Sequence, residues 1–153
     1  METYDYIVVG AGSSGCAVTN RLVAAGKRVL LLEAGPHDKN FWVHVPVGFV
    51  RVLGTERSWI YETETQKSAA GRKMFVPQGR MLGGGSSING MVYMRGNRAD
   101  YDAWRDEFGC TGWGWDDVLA AFKKSEGNQR LSNAWHNTEG PQKVSDQRYR
   151  HPI

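Results

Sequence analysis

The hydrophobic and polar positions of the first 35 residues predict a strand, a helix and a second strand. Residues 6–9 (YIVV) and 29–32 (VLLL) are short apolar runs, as found in buried parallel strands. Between them, apolar residues recur at the spacing of one helix face: Ala17, Val18, Leu22 and Val23. Gly26, followed by Lys27 and Arg28, is typical of the end of a helix. This pattern predicts an α/β fold with a parallel sheet and helices.

Farther along the chain the pattern predicts fewer elements. Residues 59–63 (WIYET) alternate enough to predict a strand, and residues 142–144 predict a brief one. Residues 99–108 and 115–122 carry aromatic side chains at helical spacing, which predicts two helices whose aromatic stripes face a core. The rest of the segment 36–78 predicts no regular element.

Composition narrows the classes of function. Apolar residues make up 41% and charged residues 23% of the 153 residues, which is ordinary for a globular domain. The net charge of +3 comes from scattered basic residues without a basic stripe, so we expect no nucleic-acid partner. No apolar run reaches the ~18 residues of a transmembrane helix, and the start of the chain is not that of a signal peptide. We expect a cytoplasmic protein.

The two cysteines, Cys16 and Cys110, are far apart in the sequence and form no CxxC pair. This spacing favours a reducing compartment, and we expect no metal site. Cys16 follows a glycine-rich turn, and we expect it to be a small buried helix residue.

The turn between the first strand and the helix has the glycine pattern of a dinucleotide-binding loop, residues 10–15 (GAGSSG). Gly10 permits the tight turn, Gly12 lets a pyrophosphate approach, and Gly15 lets helix and strand pack closely. The helix N-terminus then faces the phosphates, an interaction of about 1 kcal/mol. Glu33, at the end of the second strand, can accept hydrogen bonds from ribose hydroxyls and disfavours a 2′-phosphate. NADP is therefore the least favoured dinucleotide, and FAD and NAD both remain.

A second glycine-rich loop occupies residues 79–90 (GRMLGGGSSING). Its three consecutive glycines, Gly83, Gly84 and Gly85, leave the backbone bare, so that N–H groups can approach a ligand closely. Two such loops in one chain predict a long dinucleotide whose ends are held by different segments.

Residues 79–102 resemble the first signature of the glucose–methanol–choline (GMC) family of flavin oxidoreductases. Residues 59–63, the WGW at 113–115 and the FKKSE at 122–126 also resemble that family, and the similarity is nearest to bacterial choline and alcohol dehydrogenases. The resemblance implies a Rossmann-like FAD-binding fold that is incomplete here. It divides residues 1–153 into a βαβ dinucleotide unit at 4–35 and the signature loop at 79–102.

The resemblance also implies FAD as cofactor and oxidation of a small-molecule alcohol, either choline or an aliphatic or aromatic alcohol, by hydride transfer to the flavin. It implies cofactor roles for residues that match the family's motifs. Ser13 and Ser14 would lie at the pyrophosphate, Glu33 at the ribose, and Gly85 near the phosphate and flavin. Four further residues would lie along the flavin and its ribityl chain: Asn89, Gly90, Met91 and Val92. Many members have serine or threonine in place of Gly85.

Some members attach the flavin covalently through a histidine immediately before the loop asparagine. Here that position is Ile88, so we expect the FAD to be held non-covalently.

The family's catalytic histidine and its partner lie near the C-terminus of a much longer chain. None of the four histidines here occupies a matching position: His37, His44, His136 and His151. We therefore expect the N-terminal part of an enzyme, without catalytic residues and inactive by itself. The resemblance leaves peripheral attachment of the full enzyme to the inner membrane face as an option. Two other hypotheses stay open, an NAD-binding Rossmann domain and an inactive truncated product.

Overall fold

The computed structural model describes residues 2–148 in two compact units, the first ending at Val92 and the second beginning at Tyr93. The helices and strands follow one another in this order: β1 (Tyr6–Val9), α1 (Ser13–Ala24), β2 (Val29–Leu32), β3 (Ser58–Glu62), β4 (Phe75–Gly79), α2 (Arg98–Asp106), α3 (Trp115–Ser125), β5 (Glu126–Asn128) and β6 (Gln142–Val144). Short 3₁₀ turns connect several of them. The predicted α/β fold with parallel strands is confirmed.

The first unit begins with the predicted strand, helix and strand. β1 and β2 pair in parallel, with Tyr6 opposite Val29 and Val9 opposite Leu32. The helix α1 connects them, and it ends just before Gly26, whose φ of +75° lies in the left-handed region that favours glycine. The local pattern of this segment therefore determined its elements and their bounds.

The predicted burial of the first strand is wrong. Ile7 is 62% exposed and Val9 is 82% exposed. In the part of the chain that the structure describes, β1 and β2 form a sheet of two strands, and α1 buries none of its own residues. Cys16 on α1 is likewise exposed, contrary to expectation, and its thiol lies 3.2 Å from the carbonyl oxygen of Ala11.

An antiparallel hairpin of β3 and β4 completes the first unit. The sequence predicts β3, but β4 contains Pro77, which lacks an N–H to donate and obscured the strand. β4 ends at Gly79, where the second glycine-rich loop begins. Met81 of that loop and Ala11 of the first loop are fully buried, so the small core of this unit lies beneath the two loops.

The second unit contains α2, α3 and a short parallel pair, β5 and β6. Trp115 is 8% exposed, and its ring centroid lies 5.8 Å from that of Tyr101. The expected aromatic core is therefore present, but Trp104 and Phe108 of the same stripe are exposed. The strand β5 was not predicted, because Glu126 and Gly127 carry no strand signal.

Candidate functional site

A cleft of about 500 Å³ lies in the first unit, where the carboxyl ends of β1 and β2 meet. Its lining combines both strand ends with both glycine-rich loops: Val9, Gly10, Gly12, Leu32, Glu33, Ala34, Trp59, Gly79, Gly84 and Gly85. Ligands of open parallel sheets bind at the carboxyl ends of the strands. The cleft is therefore where this architecture places a ligand.

The first loop brings the N-terminus of α1 to the edge of this cleft. Gly10 has a φ of +93° and turns the chain out of β1. A Cβ on Gly15 would overlap with the carbonyl oxygen of Gly10, so the predicted close packing at Gly15 is present. Gly12 gives the helix no side-chain cap, and the first turn carries no acidic residue. The N–H groups of Ser13 and Ser14 thus begin the helix with its partial positive charge available to an anion.

Glu33 joins the two strand ends. One carboxylate oxygen accepts the N–H of Ala11 at 2.8 Å, and the other accepts the N–H of Gly35 at 2.9 Å. A carboxylate has about four acceptor positions, so these two bonds leave others unused. Glu33 therefore holds the first loop in place while it lines the cleft.

The second loop docks directly on the first. The N–H of Gly83 donates to the carbonyl of Ala11 at 2.8 Å. A Cβ on Gly84 would lie 2.8 Å from the Cα of Gly12, and Gly84 has a φ of +52°. Only glycine permits this approach of two backbones in this conformation.

The sequence assigned the same role to all three loop glycines, and the structure separates them. A side chain on Gly83 would overlap with the hydroxyl of Ser87, and one on Gly84 would press on Gly12. Gly85 lines the cleft, and a Cβ there would meet nothing within 4 Å. Gly83 and Gly84 therefore have to be glycine because the loop backbone packs closely there. Gly85 is the only one of the three at which an added Cβ would meet no other atom.

Four of the expected flavin-contacting residues lie away from the cleft lining. Asn89 and Met91 line a smaller cavity of about 80 Å³, and the Oδ1 of Asn89 accepts the N–H of Met91 at 2.8 Å. Met91 has a φ of +58°, a strained conformation for a residue with a side chain. Gly90 and Val92 are exposed. Of the predicted cofactor residues, the structure thus brings five together in the cleft lining: Gly10, Gly12, Glu33, Gly84 and Gly85. The lining includes neither these four residues nor four others of the predicted set: Ser13, Ser14, Gly15 and Gly83.

Sequence reasoning missed Trp59 as a residue of the cleft. Trp59 lies on β3 opposite Gln78, one position before Gly79 and the second loop. The strand pattern predicted β3, but only the pairing with β4 places Trp59 beside the glycine loops. No local signal in the sequence carried that information.

The described histidines do not line the cleft. His37 and His44 are exposed, and His136 belongs to the second unit. His151 lies outside the described residues. Among residues 2–148, no group of three or more potential ligands is placed to hold a metal ion. No helix within the same residues is long and apolar enough to cross a bilayer.

The second unit contains a fully buried carboxylate, Glu126. It forms an ion pair with Arg95, accepts the amide of Asn128 at 2.8 Å, and lies 2.8 Å from the Nδ1 of His136. Burial by itself raises the pKa of Glu126, but the hydrogen bonds from Asn128 and His136 and the charge of Arg95 lower it on balance. Glu126 is therefore a charged structural centre of this unit.

Comparison with known proteins agrees with this geometry. The GMC oxidoreductase family profile matches residues 4–149. An "alcohol dehydrogenase [acceptor]" of Pseudomonas putida is 46% identical over 98% of this chain, which covers 28% of that relative. The mitochondrial choline dehydrogenase of Homo sapiens is 40% identical over 99% of this chain, which covers 27% of it.

Among solved structures, pyridoxine 4-oxidase from Mesorbium loti superposes with a TM-score of 0.83 at 35% identity, over 92% of this chain and 28% of that one. An FAD-dependent oxidoreductase from Chaetomium thermophilum gives a TM-score of 0.83 at 32% identity, over 98% and 28%. The 153 residues thus span about a quarter of the length of these relatives, in their N-terminal, FAD-binding part. The chain belongs to the GMC oxidoreductase family.

Proposed function

We propose that the cleft of the first unit binds FAD non-covalently. The observation that carries the proposal is the convergence, at one sheet edge, of an uncapped helix N-terminus, two docked glycine loops and Glu33. The pyrophosphate lies against Gly10, Gly12 and the first turn of α1, where N–H groups and the helix dipole favour an anion. Glu33 accepts hydrogen bonds from the ribose of the adenosine half.

The residues present fit such a ligand. The cleft volume of about 500 Å³ lies within the range of cofactor pockets. Glu33 is the one acidic residue in the cleft lining, and both of its carboxylate oxygens accept backbone N–H groups, which hold it in place. The open Cβ position of Gly85 leaves room for the ligand. The family resemblance extends the proposal to four contacts of the flavin half that lie outside the lining of this cleft: Asn89, Gly90, Met91 and Val92.

We further propose that the whole enzyme oxidises an alcohol, with choline and aliphatic or aromatic alcohols as the candidate class. Two relatives that share 40% identity or more with this chain are named alcohol dehydrogenase and choline dehydrogenase. Bound FAD supplies the hydride acceptor. In this proposal residues 1–153 are the cofactor-binding portion, made of the βαβ unit 4–35 and the loop 79–102, and they contribute no catalytic base.

Titration of the purified 153-residue chain with FAD and with NAD tests the cofactor assignment. We expect FAD to raise the melting temperature and to give the protein a visible flavin spectrum, whereas NAD should do neither. Binding of NAD without binding of FAD would favour the NAD-binding hypothesis, and binding of neither would favour an inactive product.

A dye-reduction assay tests the division of labour. With excess FAD, choline and a series of aliphatic alcohols, we expect residues 1–153 to give no turnover above that of free FAD. A general base contributes roughly 10²–10⁴-fold to such proton transfers, and no described histidine lines the cleft. Turnover well above free FAD would contradict the proposal.

A further inference from the structure

The second glycine-rich loop ends in an asparagine–glycine step, Asn89–Gly90, and no other asparagine of the sequence is followed by glycine. Because glycine carries no Cβ, the backbone nitrogen that follows the Asn89 side chain is open to close approach. Both residues are exposed to solvent. The step therefore combines a side-chain amide, an unhindered backbone nitrogen and access for water.

The side chain of Asn89 is folded forward along the chain. Its Oδ1 accepts the N–H of Met91 at 2.8 Å, which closes a ring of the kind found in Asx turns. That ring contains both the side-chain carbonyl carbon of Asn89 and the backbone nitrogen of Gly90. The hydrogen bond also withdraws electron density from this carbon and makes it a better electrophile. Two groups confined to one small ring can react with each other as parts of a single molecule, without the entropy cost of an encounter.

The two nitrogens of such a reaction are not held elsewhere. Within residues 2–148, the backbone N–H of Gly90 donates to no acceptor, and the Nδ2 of Asn89 has no hydrogen-bond partner. The first nitrogen has to lose its proton in order to attack, and the second has to leave. A hydrogen bond to either group would oppose the reaction.

We propose that Asn89 is a site of spontaneous deamidation in this chain, since asparagine is among the chemically labile residues of proteins. The deprotonated nitrogen of Gly90 attacks the side-chain carbonyl carbon of Asn89. The new C–N bond closes a succinimide ring, and Nδ2 leaves as ammonia after it takes up a proton from water. A second water molecule opens the ring. Cleavage of the new bond gives aspartate, and cleavage of the original main-chain bond gives isoaspartate.

The modification changes the loop in two ways. Both products carry a carboxylate where the side chain of Asn89 is uncharged. In the isoaspartyl product the main chain runs through the former side chain, so that the connection to Gly90 is longer by one carbon. The N–H of Met91 then loses the acceptor that it has in the present structure.

The chain offers an internal control at Asn133. Its Oδ1 accepts the N–H of Trp135, also at 2.8 Å, and Asn133 is exposed as well. The residue that follows it is Ala134. The two turns therefore share the hydrogen bond and the exposure, and they differ in the residue after the asparagine.

Gly90→Ala is the matched variant within the loop. The φ of Gly90 is not positive, and a Cβ there would meet nothing within 4 Å, so we expect the variant to fold as wild type does. Its added methyl group hinders the attacking nitrogen and leaves Asn89 in place. Circular dichroism and thermal melting check the fold of the variant.

Incubation in warm, mildly alkaline buffer followed by peptide mass spectrometry tests the proposal. The samples are the folded wild-type chain, the same chain unfolded in urea, and the folded Gly90→Ala chain. The tryptic peptide 81–95 contains Asn89 as its one asparagine, and the peptide 131–143 contains Asn133. We expect Asn89 of the folded chain to become a mixture of aspartate and isoaspartate, at a rate within a few-fold of that in urea. Asn133, and Asn89 of the Gly90→Ala chain, should keep most of their amide over the same time.

Three results would overturn the proposal. An intact Asn89 in the folded chain would show that the fold holds the two reacting groups apart. Equally fast conversion at Asn133 or in the Gly90→Ala chain would show that the reaction does not depend on Gly90. Aspartate formed without isoaspartate would indicate direct hydrolysis by water, with no attack by the nitrogen of Gly90.

Discussion

Replacing Gly84 with alanine tests the docking of the two glycine loops. The new Cβ would lie 2.8 Å from the Cα of Gly12, which is backbone and cannot rotate away. Overpacking of this kind costs about 1–3 kcal/mol, and a side chain at a left-handed φ adds about 1–2 kcal/mol. We therefore expect the free energy of unfolding to fall by about 2–5 kcal/mol. FAD affinity should fall as well, because the displaced loop lines the cleft.

Gly85→Ala is the control, one residue away. Its Cβ would meet nothing within 4 Å, and its φ is not positive, so we expect stability within about 0.5 kcal/mol of wild type. Urea unfolding followed by circular dichroism measures both variants, and flavin fluorescence gives the FAD affinity. The reasoning would be refuted by a Gly84→Ala chain as stable as wild type, or by equal destabilisation of the two variants.

Three further predictions concern single groups. Glu33→Gln should lower both FAD affinity and the free energy of unfolding, by about 1–3 kcal/mol, because one of two backbone N–H groups loses its acceptor; FAD and urea titrations measure the two effects. Glu126→Gln should cost about 3–5 kcal/mol near neutral pH, because it leaves the Arg95 charge buried and unpaired. Since the pKa of Glu126 is lowered in the folded state, its stabilisation is present above the ordinary glutamate pKa and is lost as pH falls through the lowered value, so the variant should lose less stability in acid. Acid precipitation of the full-length, FAD-loaded enzyme should release all yellow colour, since Ile88 offers no nucleophile.

Contrary outcomes are equally direct. Wild-type stability of the Glu33→Gln chain would show that Glu33 does not hold the first loop in place. Parallel acid-unfolding curves for wild type and Glu126→Gln would assign the acid sensitivity to other groups. Yellow colour retained in the pellet would reveal a covalent attachment site.

The sequence predicted best what is determined locally. β1, α1 and β2 follow from apolar runs, helical spacing and the glycine turn, all within 35 residues. The strand β4 was missed because Pro77 contradicts a strand locally, while pairing with β3 overrides that preference. The exposure of Ile7 could not be foreseen either, because an apolar run does not report which strands and helices cover it.

The residues of the site also divide into those that the local sequence predicts and those that it does not. Gly10, Gly12 and Glu33 could be placed in the cleft from spacing alone, since the βαβ geometry fixes their positions. The packing roles of Gly83 and Gly84 and the place of Trp59 depend on contacts between distant segments, which no local pattern encodes.

The docking of Gly83 on Ala11 has a consequence for how the site assembles during folding. The two residues are separated by roughly seventy positions, so the cleft exists only after a long-range closure whose entropy cost grows with loop length. Local segments such as α1 form without this closure. The residues proposed to bind the phosphates and the ribose therefore contact the second loop only late in folding. A ligand that touches both loops therefore binds only the closed chain and shifts the closure equilibrium by mass action. In this unit the cofactor would act as a folding partner as well as a bound reagent.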